Sequence, residues 1–304
     1  MKGILLAGGY GRRLGPATRV VSKQLLPVYD KPMVYYPLSL LMLAGIRDVL
    51  LVATPAHLPW FQELFGDGSR LGIRMEYVEQ PRPEGLAHAF VLGREYLEGG
   101  PACLVLGDNL LYGHGLSAIL QQCAQLREGA TIFGYKVSDP RRYGVVEFDA
   151  GGRVTDVVEK PAVPRSHYAV PGIYFYGPDV CDLAATLRPS ERGELEIADL
   201  NRLYLKERKL EVQLLGRGYA WLDAGTPGGL AAAAGFIEAI QQRQGLIVGC
   251  LEEIAWDRGW IDAHKLRESI RLDEGSAYGR YLASLLDGSP DFPVSSRRRR
   301  LTPA

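Results

Sequence analysis

The sequence has little cysteine and no net charge, and each of these deficits excludes a class of protein. Its four cysteines lie far apart without a CxxC pair, so we predict neither a disulfide framework nor a cysteine zinc site. Its five histidines show no i,i+4 spacing of the kind that binds metals. The 35 basic and 35 acidic side chains balance, which excludes a nucleic-acid-binding surface and a polybasic membrane patch. A nucleotide substrate stays compatible with this balance, since it needs only a few local cations.

Long hydrophobic runs are also missing. The most apolar stretch, residues 33–46, is too short to span a bilayer and contains two tyrosines, a proline and a serine. Met1 and Lys2 lead directly into a predicted strand, so we expect no signal peptide. We therefore expect a cytoplasmic protein that binds neither nucleic acid nor a membrane.

Short apolar segments alternate with helical ones along the first half of the chain. Strands are predicted at 3–7, 48–53, 73–78, 102–106, 131–136 and 172–176, and helices at 33–44, 58–65, 86–97 and 116–125. This alternation is typical of an α/β fold with a doubly wound, largely parallel, Rossmann-like mixed sheet. Ligands of such sheets bind beyond the carboxyl ends of the strands. The loops expected there are 8–16, 80–86, 107–109 and 221–226.

The rest of the chain changes character. Residues 143–148 and 154–159 flank a glycine-containing turn and predict a β-hairpin. Residues 230–242 and the polar segments that follow predict a C-terminal helical appendage. The last fifteen residues are rich in proline, serine and arginine, and we predict a disordered tail there rather than an anion-binding contact by Arg297–Arg300. The predicted domains are an α/β domain over 1–240, a helical segment over 241–289 and a tail over 290–304.

The loop after the first strand, residues 8–14, reads Gly-Gly-Tyr-Gly-Arg-Arg-Leu. Glycines let backbone N–H groups approach a phosphate chain closely. Arg12 and Arg13, with Lys23 downstream, add positive charge that suits a triphosphate. Leu14 occupies the position of the last glycine in a dinucleotide fingerprint, and the chain has no Gly-Lys-Ser/Thr of a P-loop. The loop therefore favours a nucleoside triphosphate and disfavours a dehydrogenase.

Two carboxylates follow apolar segments, at the edge of the sheet where ligands are expected. Asp108 follows Leu104–Gly107, and Asp223 follows an apolar approach from residue 218. Taken singly, Asp108 can equally cap a turn, but two such carboxylates beside a cationic glycine loop suit a Mg²⁺–triphosphate site. The Glu159-Lys160 pair ends the predicted hairpin, although a lone pair of this kind is usually a surface ion pair.

Taken together, these motifs make the chain resemble the sugar-1-phosphate nucleotidylyltransferases, most closely their thymidylyl-transferring members. The resemblance covers about residues 1–285. It depends on the glycine loop and on the motifs Ser22–Pro27, Gly107–Asn109, Glu159–Pro161 and Trp221–Asp223, in this order. It implies that the substrates are dTTP and α-D-glucose 1-phosphate, the products dTDP-glucose and pyrophosphate, the cofactor Mg²⁺ and the assembly a homotetramer.

The resemblance also implies residue roles. Arg13 would polarise the triphosphate, Lys23 would lie beside the leaving pyrophosphate, and Lys160 would hold the sugar phosphate. The nucleotide-binding residues would be Gly8, Gly11, Arg13, Gln24, Gln80, Gly85 and Asp108. The hairpin would form a sugar-binding subregion, and the sugar phosphate would contact Asn109, Gly144, Glu159, Lys160 and Val170. The Mg²⁺ ligands would be Asp108 and Asp223.

Some positions depart from the family pattern, and alternatives stay open. Tyr10 and Arg12 replace small hydroxyl residues in the glycine loop, and Pro171 replaces a small polar residue on the sugar side. One alternative is the same chemistry with UTP or another sugar phosphate, because a single methyl group discriminates by only about 1–3 kcal/mol. Another is a non-catalytic homologue. Retention of all the charged site residues disfavours it.

Overall fold

The computed structural model describes residues 1–9 and 11–287. Tyr10, the predicted tail at 290–304 and its Arg297–Arg300 lie outside the described residues. The strands are β1 (Lys2–Leu6), β2 (Pro27–Val28), β3 (Lys31–Pro32), β4 (Asp48–Ala53), β5 (Arg74–Glu79), β6 (Ala102–Leu106), β7 (Asn109–Gly113), β8 (Ala130–Lys136), β9 (Gly144–Phe148), β10 (Val154–Glu159), β11 (Tyr168–Ala169), β12 (Ile173–Tyr176), β13 (Leu210–Leu215) and β14 (Tyr219–Asp223).

Some helices alternate with the strands of the sheet, and others follow the last strand in the sequence. They are α1 (Tyr35–Leu43), α2 (Leu58–Phe65), α3 (His88–Leu92), α4 (Arg94–Leu97), α5 (Leu116–Cys123), α6 (Val180–Thr186), α7 (Ile197–Lys206), α8 (Pro227–Gln244), α9 (Leu251–Asp257), α10 (Ala263–Leu272) and α11 (Ala277–Leu286). Short 3₁₀ turns occupy Arg12–Thr18, Lys23–Leu25 and Ser69–Leu71. Within the described residues, no helix combines the length and the apolar character needed to cross a membrane.

The main sheet is mixed, with the order β10-β9-β11-β8-β12-β6-β1-β4-β5 and β13 beside β8. The four strands β6, β1, β4 and β5 are parallel, as the alternation of apolar strands and helices predicts. The α/β fold is therefore confirmed. In the other half, β12 runs antiparallel to β6 and β8, and β11 joins the β9–β10 hairpin to β8. Strand β13 is the exception there, since it pairs parallel with β8. The predicted hairpin forms, as the edge of the same sheet.

Both faces of the parallel half are buried. Along β4, Val49 and Leu51 belong to one hydrophobic core, and Leu50 and Val52 belong to the core on the opposite face. A strand buried on both faces reads as a continuous apolar run, which is why β1, β4 and β6 are visible in the sequence.

The helix predicted at 86–97 is wrong as a single element, because it breaks at Gly93 into α3 and α4. Gly93 lies against the sheet: a Cβ there would come within 3.2 Å of Leu50 and 3.3 Å of Ile4. Close packing of the backbone on the sheet therefore overrides the helical pattern. The strand β13 and the helices α6 and α7 were not predicted.

The C-terminal helices form as predicted and share a core with the sheet. Helix α8 begins at a Thr226 cap, whose side chain accepts a hydrogen bond from Gly229 N at 3.1 Å, and ends at Gly245. The predicted boundary after residue 240 falls inside this helix. Leu251 of α9 and Leu282 of α11 belong to the same hydrophobic core as α1 and β4.

Glu253 on α9 makes stability depend on pH. Burial raises its pKa from the ordinary 4.5 to about 7. Between these values the native state holds a proton that the unfolded state releases, so the free energy of unfolding falls as pH rises through this range. We expect Glu253→Gln to abolish this part of the slope and to be about 3 kcal/mol more stable than wild type above pH 7. Urea titrations at several pH values test this. Glu63→Gln, at an exposed position on α2, is the control and keeps the wild-type slope.

Candidate active site

A cavity of about 400 Å³ lies at the carboxyl ends of β1 and β6. Of the fourteen residues to which the sequence assigns roles, eleven line it. They are Gly8, Arg13, Lys23, Gln24, Asp108, Asn109, Gly144, Glu159, Lys160, Val170 and Asp223. Segments more than 200 residues apart in sequence thus meet at one place, as expected for the ligand edge of a parallel sheet.

The glycine loop is held on two sides. Gly11 has a left-handed backbone with φ of 59°, and its carbonyl accepts a hydrogen bond from Thr18 Oγ1 at 2.9 Å. A Cβ at Gly8 would come within 2.8 Å of Gln80 Oε1, so a larger residue at that position would displace the buried Gln80 side chain. Gln24 is buried next to the loop and accepts a hydrogen bond from Ser22 Oγ at 2.6 Å.

The other three residues, Gly11, Gln80 and Gly85, border the cavity without lining it. Gln80 is buried, and its Nε2 lies 3.2 Å from His88 Nδ1. Gly85 has φ of 100°, and a Cβ there would strike the backbone of Leu195. This close approach allows the backbone N–H of Leu195 to donate to the carbonyl of Glu84 at 2.8 Å. The hydrogen bond that Gly85 permits therefore links the segment after β5 to the segment before α7.

Pairing between β7 and β14 brings the two predicted metal ligands together. These strands are antiparallel, with Asp223 opposite Asn109, the residue that follows Asp108. A Cβ at Gly225 would come within 2.8 Å of Asp223 Oδ1 and 3.1 Å of Asp108 Oδ2. The two carboxylates therefore converge on one small space that glycine keeps open.

This donor set suits Mg²⁺. The described residues contain no group of three or more acidic, histidine or cysteine side chains placed to hold a metal. Mg²⁺ usually takes one or two carboxylates and completes its shell with phosphate oxygens and water. The pair Asp108 and Asp223 matches that coordination preference, whereas a zinc or calcium site would need more protein ligands.

Cations surround the two carboxylates. Lys23 Nζ lies 2.5 Å from Asp108 Oδ2, and both side chains are nearly buried. Burial is the largest single influence and raises the pKa of Asp108. The Lys23 ammonium, together with the Asn109 hydrogen bond and a neighbouring guanidinium group, holds the pKa below its ordinary value. Arg13 and Arg142 approach Asp223 Oδ2 at 4.0 and 3.6 Å. Asp108 is therefore ionised, and positively charged side chains lie beside both carboxylates.

The sugar-side residues meet at the end of the hairpin. Lys160 Nζ lies 3.2 Å from Glu159 Oε1, and Arg192 approaches the same oxygen at 3.6 Å. A Cβ at Gly144 would come within 3.4 Å of Glu159 Oε2 and 3.7 Å of Val170. Gly144 therefore leaves room beside a carboxylate, and a hydroxyl group can approach there.

A family model described as Nucleotidyl transferase matches residues 2–240. The chain belongs to this family of nucleotidyltransferases. The glucose-1-phosphate thymidylyltransferase of Xanthomonas campestris pv. campestris is 57% identical over 284 residues, which cover 93% of this chain and 96% of that protein. The resemblance drawn from the motifs is confirmed.

Solved structures agree with this family and its fold. A Bacillus anthracis protein provisionally named a glucose-1-phosphate thymidylyltransferase, crystallised with sucrose, is 35% identical, with a TM-score of 0.72 over 78% of this chain and 94% of that one. A UDP-glucose pyrophosphorylase bound to UDP-glucose is 25% identical, with a TM-score of 0.69 over 78% of this chain and 98% of that one. Nucleotidyltransferases named for different nucleotides thus share the fold.

The cavity of this nucleotidyltransferase also contains residues without a predicted role. Arg142, Tyr143 and Trp221 line it. The Trp221 and Tyr143 rings meet edge to face with centroids 4.8 Å apart. Two consecutive arginines, Arg141 and Arg142, precede the hairpin, and this basic pair is a sequence signal that could have identified Arg142. Trp221 lies two residues before Asp223, so strand alternation places both on one face.

Lys160 is held in an unfavourable backbone conformation, with φ of 42°. In that region glycine is favoured over alanine by about 1 kcal/mol. We expect Lys160→Ala and Lys160→Gly to lose activity equally, since both lack the ammonium, while the glycine variant is about 1 kcal/mol more stable. Urea unfolding and the KM for the sugar phosphate measure the two effects. Equal stability of the two variants would contradict the strain.

Proposed function

We propose that the chain transfers the thymidylyl group of dTTP to α-D-glucose 1-phosphate, giving dTDP-glucose and pyrophosphate. The observation that carries this proposal is that one cavity gathers cations from separate segments around two converging carboxylates. Such a cavity suits two phosphate-bearing substrates that repel each other. The name of the 57% identical relative supports the choice of substrates.

In the proposed reaction, an oxygen of the sugar phosphate attacks the α-phosphorus of dTTP in line. The new P–O bond forms as the bond to the β-phosphate oxygen breaks, and that electron pair leaves with pyrophosphate. The nucleophile is already anionic, so the chain need not supply a general base. Catalysis then consists of positioning and charge stabilisation.

The charged residues divide these tasks. Lys160 brings in the sugar phosphate, and Arg13 polarises the triphosphate. Lys23 exchanges Asp108 for the leaving pyrophosphate, which its length and flexible stem allow. Asp108 and Asp223 would hold Mg²⁺, which when bound neutralises charge on the phosphate oxygens.

The remaining predicted residues would recognise the two substrates. Gly8, Gly11 and Gln24 would surround the phosphates and the nucleotide, with Gln80 and Gly85 on the thymine side. Glu159, Asn109 and the backbone near Gly144 and Val170 would contact sugar hydroxyls, because buried amides and carboxylates can pair with a polyol.

We also infer two broader properties. The resemblance supports a homotetramer, which sedimentation of the full chain would test. The division into residues 1–240 and 241–289 stays a proposal, and the tail predicted at 290–304 lies outside the described residues. The shared core of α9 and β4 leads us to expect that the first two unfold together.

Pyrophosphate release across dTTP, UTP, ATP, CTP and GTP, with a panel of sugar 1-phosphates, tests the function. We expect the highest kcat/KM for dTTP with glucose 1-phosphate, and about 10- to 100-fold lower values for UTP, which lacks one methyl group. Preference for UTP or for another sugar would establish the alternative substrate. Absence of release with every pair would favour a non-catalytic homologue.

A further inference from the structure

The side-chain amide of Asn109 has a fixed orientation. Its Oδ1 accepts hydrogen bonds from Trp221 Nε1 at 2.6 Å and from the backbone N–H of Gly172 at 3.0 Å. An indole N–H and a backbone N–H can only donate, so the atom between them must be the amide oxygen. Both of its lone pairs are then used, and the amide nitrogen must face the other way.

That nitrogen faces Asp108. Asn109 Nδ2 donates to Asp108 Oδ1 at 3.1 Å, and the group is buried. The other carboxylate oxygen, Oδ2, accepts from Lys23. Asn109 is neutral and anchored twice, whereas Lys23 is a charged, flexible side chain that an incoming triphosphate attracts. Asn109 is therefore suited to keep the carboxylate oriented when Lys23 moves.

Trp221 is itself firmly placed. It lies in β14, which pairs with β7, and its ring packs edge to face on Tyr143 and Tyr135 with centroids 4.8 and 5.9 Å away. Asp223 follows two residues later on the same face of β14. One strand thus supplies a carboxylate directly and orients the other carboxylate through Asn109.

We propose that Trp221 and Asn109 are positioning residues that fix Asp108 for a divalent metal–triphosphate. The hydrogen-bond relay runs from the indole N–H to the amide oxygen, and from the amide nitrogen to the carboxylate. It rests on the proposed function for the identity of its ligand. It leaves the second hydrogen of Asn109 Nδ2 for a sugar hydroxyl, so both roles are compatible.

The variant Trp221→Phe keeps an aromatic ring and removes the N–H. We expect the Mg²⁺ concentration for half-maximal activity to rise about tenfold, because loss of an outer-shell partner typically weakens a metal site 10- to 100-fold. Saturating Mg²⁺ should restore most of kcat, and the KM for glucose 1-phosphate should stay unchanged. Asn109→Ser, which removes both ends of the relay, should change the Mg²⁺ requirement at least as much.

Tyr135→Phe is the matched control. It removes the hydrogen bond from the Tyr135 hydroxyl to the carbonyl of Tyr219, 3.1 Å long, beside the same indole ring and outside the relay. This variant should keep the wild-type Mg²⁺ response. A raised sugar-phosphate KM with an unchanged Mg²⁺ response in Trp221→Phe would overturn the proposal and make Trp221 a sugar contact.

A binding measurement separates this proposal from the proposed function. Mn²⁺ binding to the dTTP-saturated protein, followed by electron paramagnetic resonance without sugar phosphate, needs no turnover. Matched titrations of dTTP alone supply the background. We expect about tenfold weaker binding in Trp221→Phe. Weaker binding in a chain whose wild type makes no dTDP-glucose would support the relay and reject the function. Equal binding in a chain that does make it would reject the relay alone.

Discussion

Replacing Asp223 with asparagine is expected to lower kcat about 10³-fold without unfolding the protein. The carboxylate is nearly buried and converges with Asp108 on the space beside Gly225. Asparagine keeps its size but removes its charge, and charge stabilisation by a bound metal supplies several kcal/mol of transition-state energy. Pyrophosphate release at saturating Mg²⁺ measures the effect. Unchanged Mg²⁺-dependent turnover would show that Asp223 is not a ligand.

The stability of the same variant distinguishes chemistry from folding. Arg13 and Arg142, which face Asp223, are each about half exposed, at 54% and 49%. Water screens such guanidinium groups, so the free energy of unfolding should change by less than about 1 kcal/mol. Asp156→Asn is the matched control, since Asp156 also pairs with an arginine, Arg202, at 2.8 Å but lies outside the cavity. It should keep wild-type turnover.

Much of the fold is predictable because its central strands are buried on both faces. The apolar runs at 3–7, 48–53 and 102–106 correspond to β1, β4 and β6, and the glycine turn after Phe148 gives the hairpin. Strand β13 is half-buried and carries Glu211 and Gln213 among its apolar residues, so it has no comparable run. Periodicity thus detects strands in proportion to their burial.

The sequence predicts which residues form the site but not which of them contact one another in the fold. The motifs name Asp108 and Asp223 separately, 115 residues apart. Their convergence depends on the pairing of β7 with β14, which is a long-range contact that no local pattern encodes. The relay through Asn109 depends on the same pairing and is equally invisible in local sequence. The resemblance to the family therefore assigned Asn109 only a contact with the sugar.

The neutral net charge of the chain has a counterpart inside the cavity, where basic and acidic side chains pair with each other. The cavity gathers Arg13, Lys23, Arg142 and Lys160 around carboxylates that neutralise them in the absence of substrate. Phosphates can then replace carboxylates as partners of these cations. The exchange matters most for Lys23, the nearly buried cation of the four, because Asp108 keeps it from being buried without a partner before substrate arrives.

Lys23 and Asp108 give the sharpest test of this exchange, because their ion pair is the shortest in the cavity and nearly buried. Lys23→Met should lower kcat at least 10²-fold, as the ammonium stabilises charge on the leaving group. It should also destabilise the fold by about 3 kcal/mol, since it leaves a buried carboxylate without its counterion.

Adding Asp108→Asn to Lys23→Met removes that stranded charge, so the double variant should regain stability to within about 1 kcal/mol of wild type. Its activity should fall further, because the second change also removes a metal ligand. Stability and turnover would then move in opposite directions on the same substitution, which no general loosening of the cavity can produce. Urea unfolding and pyrophosphate release on all four proteins complete the cycle. If the losses of unfolding free energy in the two single variants simply add in the double variant, the pair is not coupled. Asp108 would then not be the partner that Lys23 exchanges for the phosphates.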